Sequence, residues 1–244
     1  MPTILITGCS SGFGLETARH FLERGWEVVA TMRTPRADLL PASPRLRIIP
    51  LDVSDEASIR HAVGLAGQVD VLVNNAGIGL LGVFETTPLA TLRELFDTNV
   101  LGAMAMAQAM LPQFRERGAG VIINVSSSTT LLPLPLLAAY TASKAAMNAW
   151  TESLALELQP IGVRAHVVLP GRSPETTFAR NAAPRMQGSV PDAYAGFVEG
   201  VFAGRGGDGP VTYAADVVEA IWRAALDPAA PLRIPAGADA VALA

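Results

Sequence analysis

Tyr140 and Lys144 stand four residues apart in a stretch, about Ala139 to Gln159, whose composition favours a helix. Their side chains would then share one helical face, a single turn apart. A phenol with an ordinary pKa of about 10 is a poor acid–base group at neutral pH. A fixed ammonium one turn away favours the phenolate and lowers that value. Bringing it near 7 takes about 4 kcal/mol at 1.36 kcal/mol per unit. Alone, a Tyr-x-x-x-Lys pair also fits an ordinary helix surface, so its surroundings decide. Ser126, Ser127 and Ser128 follow one strand-like run, Asn74 and Asn75 follow another, and Asn99 lies in the helical stretch beyond. In parallel α/β sheets, ligands sit at the carboxyl ends of the strands.

A second group of residues suits a charged ligand. A strand-like Thr3–Thr7 runs directly into Gly8-Cys9-Ser10-Ser11-Gly12-Phe13-Gly14 and then a helix. Glycines let the backbone turn tightly and approach a pyrophosphate, which the helix N-terminus attracts. The spacing Gly8-x3-Gly12-x-Gly14 differs from G-x-G-x-x-G but serves the same geometry. A glycine-rich turn without a ligand is the alternative; the strand–loop–helix context favours a dinucleotide. From Val28 to Ala37 there is no acid, and Arg33 sits just past the second strand-like run. NAD-specific sites usually place a carboxylate near there, whereas a guanidinium can bond a 2′-phosphate in bidentate fashion. Arg33 is therefore read as favouring NADP(H), with a solvated loop arginine as the alternative and NAD still possible. Ser11 could add a phosphate contact.

The elements that must position these groups alternate between short β-branched runs and helix-length segments. Strands are expected at about 3–7, 26–31, 46–50, 69–73, 120–125, 163–169 and 231–235. Helices are expected at about 13–24, from a Ser54 cap, from Thr87-Pro88 onward, at about 97–117 and at about 139–159. This pattern predicts a doubly wound parallel sheet of the Rossmann type, with helices on both faces and one domain over residues 1–244. Residues 171–210 are rich in Gly, Pro and Ala with weak periodicity, which reads as a mobile lid.

Composition narrows the partners. The chain has 244 residues, 50% hydrophobic and 16% charged, with net charge −4. That gives no basic footprint for nucleic acid. One cysteine, Cys9, excludes an internal disulfide and suits a reducing compartment. The start does not read as a signal peptide, and the apolar run 131–139 is too short for a membrane span. A cytoplasmic protein without a membrane partner is expected. His20, His61 and His166 are dispersed, so no metal site is expected. Met104, Met106 and Met110 read as core or interface packing. Leu131–Leu137 could be core, but its place between the serines and the tyrosine favours an apolar wall of a substrate pocket.

Taken together, TGCSSGFG at 7–14, LDV at 51–53, NNAG at 74–77, Asn99, NVSS at 124–127, YTASK at 140–144 and PG at 170–171 resemble the short-chain dehydrogenase/reductase family. The resemblance extends over nearly the whole chain, and TGCSSGFGLE and VVATMR are similar to its hydroxysteroid and retinol dehydrogenase branch. It implies that Tyr140 exchanges a proton with the reacting oxygen. It further implies that Lys144 holds the nicotinamide ribose, that Ser127 hydrogen-bonds the same oxygen, and that Asn99 anchors a proton-carrying water chain. Ser127 lies three residues after Asn124 and thirteen before Tyr140, as the family pattern requires. Cofactor contacts are implied for Gly8, Ser10, Ser11, Gly12, Phe13, Gly14, Asp52, Val53, Asn75, Ala76, Gly77, Pro170 and Gly171. After Pro170-Gly171 the chain departs from the family, because Arg172 and Ser173 are polar and Thr176 falls one place late.

The resulting expectation is an NAD(P)(H)-dependent oxidoreductase acting on a small apolar ketone, aldehyde or secondary alcohol, assembled as a homodimer or homotetramer. One rival is a non-catalytic NAD(P)-binding sensor, against which Tyr140 and Lys144 both speak. Another is a sugar-nucleotide epimerase, which would need a larger C-terminal substrate domain.

Overall fold

A computed structural model describes residues 1–182, 185, 190–204 and 209–244. Seven strands among them form one parallel sheet. In chain order the elements are β1 (Thr3–Ile6), α1 (Gly12–Glu23), β2 (Glu27–Met32), β3 (Leu46–Pro50), α2 (Glu56–Ala66) and β4 (Val71–Asn74). They continue with α3 (Leu89–Phe96), α4 (Gly102–Arg117), β5 (Gly120–Val125), α5 (Ala138–Leu158) and β6 (Val163–Pro170). Last come α6 (Phe178–Ala182), α7 (Asp192–Gly204), α8 (Ala214–Leu226), β7 (Arg233–Ala236) and α9 (Ala238–Val241). The strand order is β3-β2-β1-β4-β5-β6-β7. The reversal between β1 and β4 opens a crevice at their carboxyl ends, where such sheets take ligands.

Successive strand residues face opposite sides, and the core divides accordingly. Ile4 and Ile6 of β1 and Val28 and Ala30 of β2 pack with α1 and α8. Leu5, Val29, Leu72 and Ile122 pack on the other face with α2, α4 and α5. Met106 and Met110 are fully buried in that second layer, which makes them core. Both faces are covered, so the strands read as apolar runs rather than as an alternating pattern.

Several boundaries differ for local reasons. Asp55, not Ser54, caps α2, its carboxylate accepting the Ala57 N–H at 2.8 Å. Ser54 is committed elsewhere, its hydroxyl donating to Asp52 at 2.6 Å. Pro88 precedes α3 at the cap position, while the Thr87 hydroxyl bonds the Val83 carbonyl at 3.0 Å. The expected helix at 97–117 opens with a π turn, Asp97–Leu101. The chain leaves α1 through Gly25 at φ +84, a left-handed residue suited to closing that helix. The stretch expected as a lid carries α6 and α7 among its described residues; residues 183, 184, 186–189 and 205–208 lie outside them. Among the described residues no helix is long and apolar enough to cross a membrane.

Candidate active site

The site is assembled at the crevice from four loops and the start of α5. Two loops are locked to each other first. The Thr7 hydroxyl accepts the N–H groups of Asn75 (3.0 Å) and Ala76 (2.9 Å). The Asn75 amide donates to the carbonyls of Thr7 (2.9 Å) and Gly8 (3.2 Å). This close seam explains two glycines. A Cβ at Gly14 would lie 2.4 Å from Asn75 Nδ2, and one at Gly8 2.9 Å from the Ala76 Cα. Loop-to-loop contact therefore accounts for Gly8 and Gly14. Gly12 differs: at φ +57 its Cβ would meet only Thr176, at 3.8 Å. It stands at the open N-terminus of α1, where Ser11 makes no side-chain cap bond, so the first-turn N–H groups remain available to an anion. Ser10 is exposed on the same loop, and Phe13 packs against the core.

Deeper in the crevice, α5 delivers Tyr140 and Lys144, both buried. Ser127, two residues past the end of β5, stands beside the Tyr140 phenol and favours its ionised form, while its own hydroxyl accepts the Thr129 N–H at 3.3 Å. Alternation along the chain turns Ser126 the other way, and its hydroxyl donates to the Lys144 carbonyl at 3.3 Å. Lys144 Nζ donates to the Val125 carbonyl at 2.9 Å. A Cβ at Gly77 would lie in ordinary contact with that Nζ, at 3.6 Å, and tightly against Asn99 Oδ1, at 3.2 Å. Asn99 sits in the π turn, a distortion often found at functional sites. Its amide accepts the Ile78 N–H (2.8 Å) and donates to the Ile78 carbonyl (3.0 Å) and Ser143 Oγ (3.2 Å). Ser143 in turn bonds the Tyr140 carbonyl at 2.7 Å. The amide of Asn99 thus ties the 77–78 loop to α5. Asn74 is structural, donating to Asn124 (2.9 Å) and to the Ala103 carbonyl (3.2 Å).

Burial dominates the electrostatics here. It pushes the Tyr140 phenol up to about 12, with Ser127 acting against it. Burial also pushes Lys144 down to about 8. The physical reason is depth: desolvation penalises both charged forms at once. At neutral pH the phenol therefore holds its proton beside Ser127, a state suited to donating to a carbonyl oxygen.

Just past the end of β3, the Asp52 carboxylate accepts the Ser54 N–H at 2.9 Å and its hydroxyl at 2.6 Å. The Ser54 hydroxyl holds Asp52 below the ordinary carboxylate range, with the Arg33 charge adding to it. Val53 is buried against Gly102, where a Cβ would lie 2.7 Å from the Val53 carbonyl oxygen. Arg33 is exposed and, among the described residues, makes no hydrogen bond or ion pair. Arg36 is engaged by Asp38 at 2.6 Å. Pro170 and Gly171 end β6 at the opposite side of the crevice.

Sequence reasoning expected a lid over residues 171–210 but named none of its contacts. The Thr177 hydroxyl reaches Ser11 Oγ at 3.1 Å, and the Phe178 ring lies 5.8 Å from the Tyr140 ring. Phe178 also fills the space over Gly79, where a Cβ would come within 2.9 Å of it. The aperiodic sequence after Arg172 gives no signal for that placement. Leu131–Leu137 divides. Leu136, at the unusual φ of +63, lines an apolar cleft with Leu80, Val83, Val198 and Phe202. Leu137 packs beside Tyr140, whereas Leu132 and Leu134 are exposed.

A doubly wound sheet with a buried Ser–Tyr–Lys group at its crevice defines a class of nicotinamide-dependent oxidoreductases, and the comparisons agree. The chain belongs to the short chain dehydrogenase family, whose model matches residues 2–187. It is 40% identical over 198 residues to the uncharacterized oxidoreductase YusZ of Bacillus subtilis, covering 77% of this chain and 70% of that one. It is 39% identical over 180 residues to human retinol dehydrogenase 8, covering 69% of this chain but only 58% of that longer one. A short chain dehydrogenase from Burkholderia cenocepacia, solved in complex with NADP, superposes with TM-score 0.78 at 28% identity, covering 99% and 90% of the two chains. A 3-ketoacyl-(acyl-carrier-protein) reductase from Brucella melitensis, complexed with NADH, gives TM-score 0.79 at 28% identity and covers 96% of both.

Proposed function

We propose that this chain is an NADP(H)-dependent reductase of apolar ketones or aldehydes, running in reverse on secondary alcohols. The observation that carries the reading is the burial together of Ser127, Tyr140 and Lys144 at the crevice, with Lys144 one turn beyond Tyr140 on α5 and tied to the end of β5. Ser127 and Tyr140 together orient the reacting oxygen, and Tyr140 supplies its proton during reduction. The nicotinamide, when bound, supplies the hydride.

The residues present fit that cofactor. The uncapped start of α1 and Gly12 suit the pyrophosphate, while Lys144, beside Gly77, suits the nicotinamide ribose. Arg33, with no carboxylate between Val28 and Ala37, supports the 2′-phosphate of NADP(H) over NAD(H). The apolar cleft joins the Tyr140 cluster through Leu80, which belongs to both, and supports a substrate with a hydrocarbon tail. Phe178, whose ring lies 5.8 Å from that of Tyr140, helps to exclude water from the reacting atoms. Leu101 and Leu156, exposed at the start of α4 and on α5, support a homo-oligomer that covers these helices.

A homologous series of ketones, followed by nicotinamide absorbance with NADPH and with NADH, tests the reading. Each buried methylene is worth about 0.8 kcal/mol, so kcat/KM should rise along the series and be higher with NADPH. No turnover on any member despite tight cofactor binding would overturn it in favour of the sensor.

A further inference from the structure

The turn that ends β6 is gripped by two residues from the far end of the chain. The Gly171 N–H donates to Thr212 Oγ1 at 2.8 Å, and the Arg172 N–H donates to Asp239 Oδ2 at 2.6 Å. The Thr212 hydroxyl points between Asp239 Oδ1 (2.6 Å) and the Ala236 carbonyl (2.8 Å), and the Thr212 N–H donates to the Arg172 carbonyl at 2.8 Å. Together these bonds close a ring through residues 171, 172, 212 and 239. Glycine is required on both sides of it. A Cβ at Gly171 would stand 2.1 Å from the Asp239 carboxylate oxygens, and one at Gly237 (φ +100) would stand 2.0 Å from Thr212 Oγ1. Thr212 is fully buried. Both side chains lie beyond the residues that the family model matches.

A surface carboxylate that serves packing alone has no need to take a backbone N–H at the mouth of the crevice. We infer that Asp239 is a positioning residue for the cofactor. Through Arg172 and Thr212 it fixes the Pro170–Gly171–Arg172 turn at the carboxyl end of β6, which lies across the β1–β4 reversal from Arg33 and Asp52 and so on the side where the proposed function puts the nicotinamide. The inference rests on the functional reading above. Both N–H groups of the turn are consumed internally, so its position is set before any ligand arrives. That preorganisation removes an ordering cost from binding.

Asp239→Ala and Asp239→Asn test this by titration with NADPH and with 2′-phospho-ADP-ribose, a fragment lacking the nicotinamide, alongside Tm. Asp239→Ala should lower Tm, because bonds present before any ligand arrives are lost, weaken NADPH about tenfold as the turn must be ordered on binding, and leave the fragment nearly unchanged. Asp239→Asn keeps an oxygen for the Arg172 N–H and should stay near wild type. Parallel loss of both ligands, or undiminished NADPH affinity in the alanine variant, would overturn the inference. Wild-type protein that binds neither ligand would instead overturn the functional reading. If the alanine variant does not fold, amide exchange in the wild type reads the same point. NADPH should slow exchange at Gly171 and Arg172 and the fragment should not; equal effects would count against Asp239.

Discussion

Replacing Lys144 by Met removes a buried charge and leaves an apolar chain of similar length. Burial lowers Lys144 from its ordinary 10.5 to about 8, which at 1.36 kcal/mol per pH unit costs the folded protein about 3 kcal/mol at neutral pH. Against that gain, Lys144→Met orphans the Val125 carbonyl that Nζ now bonds at 2.9 Å, a loss of about 1–3 kcal/mol. At pH 7 the two nearly cancel, and the variant should be as stable as wild type or slightly more so. The pH dependence is sharper. Between the folded value of about 8 and the unfolded 10.5, the unfolded state holds a proton that the native state has released. Wild-type stability therefore rises with pH in that window. The penalty is fully present below about 8 and is lost as pH climbs toward 10.5. From pH 7 to about 9.5, wild type should gain about 2 kcal/mol relative to Lys144→Met, since 1.5 pH units lie above the folded value. Tyr140 is common to both proteins and drops out of the difference. Urea unfolding of both proteins at the two pH values, without cofactor, measures it. A stability difference that stays constant within about 0.5 kcal/mol would refute the claim that Lys144 is carried inside as a strained cation.

Other substitutions separate the roles. Tyr140→Phe should lower kcat by roughly 10²–10⁴-fold while NADPH affinity stays nearly intact, because only the transferable proton is lost; retention of most activity would remove Tyr140 from the chemistry. Ser127→Ala should cost about 10²-fold in kcat as an orienting hydrogen bond disappears. Ser126→Ala, whose hydroxyl bonds only the Lys144 carbonyl, should leave kcat within a few-fold, and the reverse ranking would reassign the serine. Arg33→Ala should weaken NADPH by roughly ten- to a hundred-fold with NADH nearly unchanged, read as the ratio of kcat/KM for the two cofactors. An NADPH preference that survives Arg33→Ala would move the role to another cation.

What could be read from sequence is what depends on neighbours in the chain. Tyr140 and Lys144 fall on one face because they are four apart on a helix, and Ser127 is distinguished from Ser126 by the alternation of an extended segment. The sheet was legible through its β-branched runs. Ser54 and Asp55 are both good caps, and the choice between them turned on a bond from Ser54 to Asp52 that no local rule supplies. The π turn carrying Asn99 has ordinary helical periodicity, so nothing marked it. The raised Tyr140 value depends on depth of burial, which spacing alone does not reveal. Phe178, Thr212 and Asp239 reach the site through tertiary contacts across long stretches of chain, and no pattern in their own segments anticipates the placement.

The strand order also bears on how the protein is made. β1 occupies an inner position between β2 and β4, and its register with β4 runs Ile4 to Val71 through Ile6 to Val73. During synthesis β2 and β3 emerge first and can cover only one edge of β1. The other edge, an unpaired Thr3–Ile6 run of strongly strand-forming residues, waits until residues 71–74 have left the ribosome. An open apolar edge of this kind is a template for pairing with another nascent chain. Until β4 arrives this edge stays open to such pairing, and a chaperone acting in that interval would shield it.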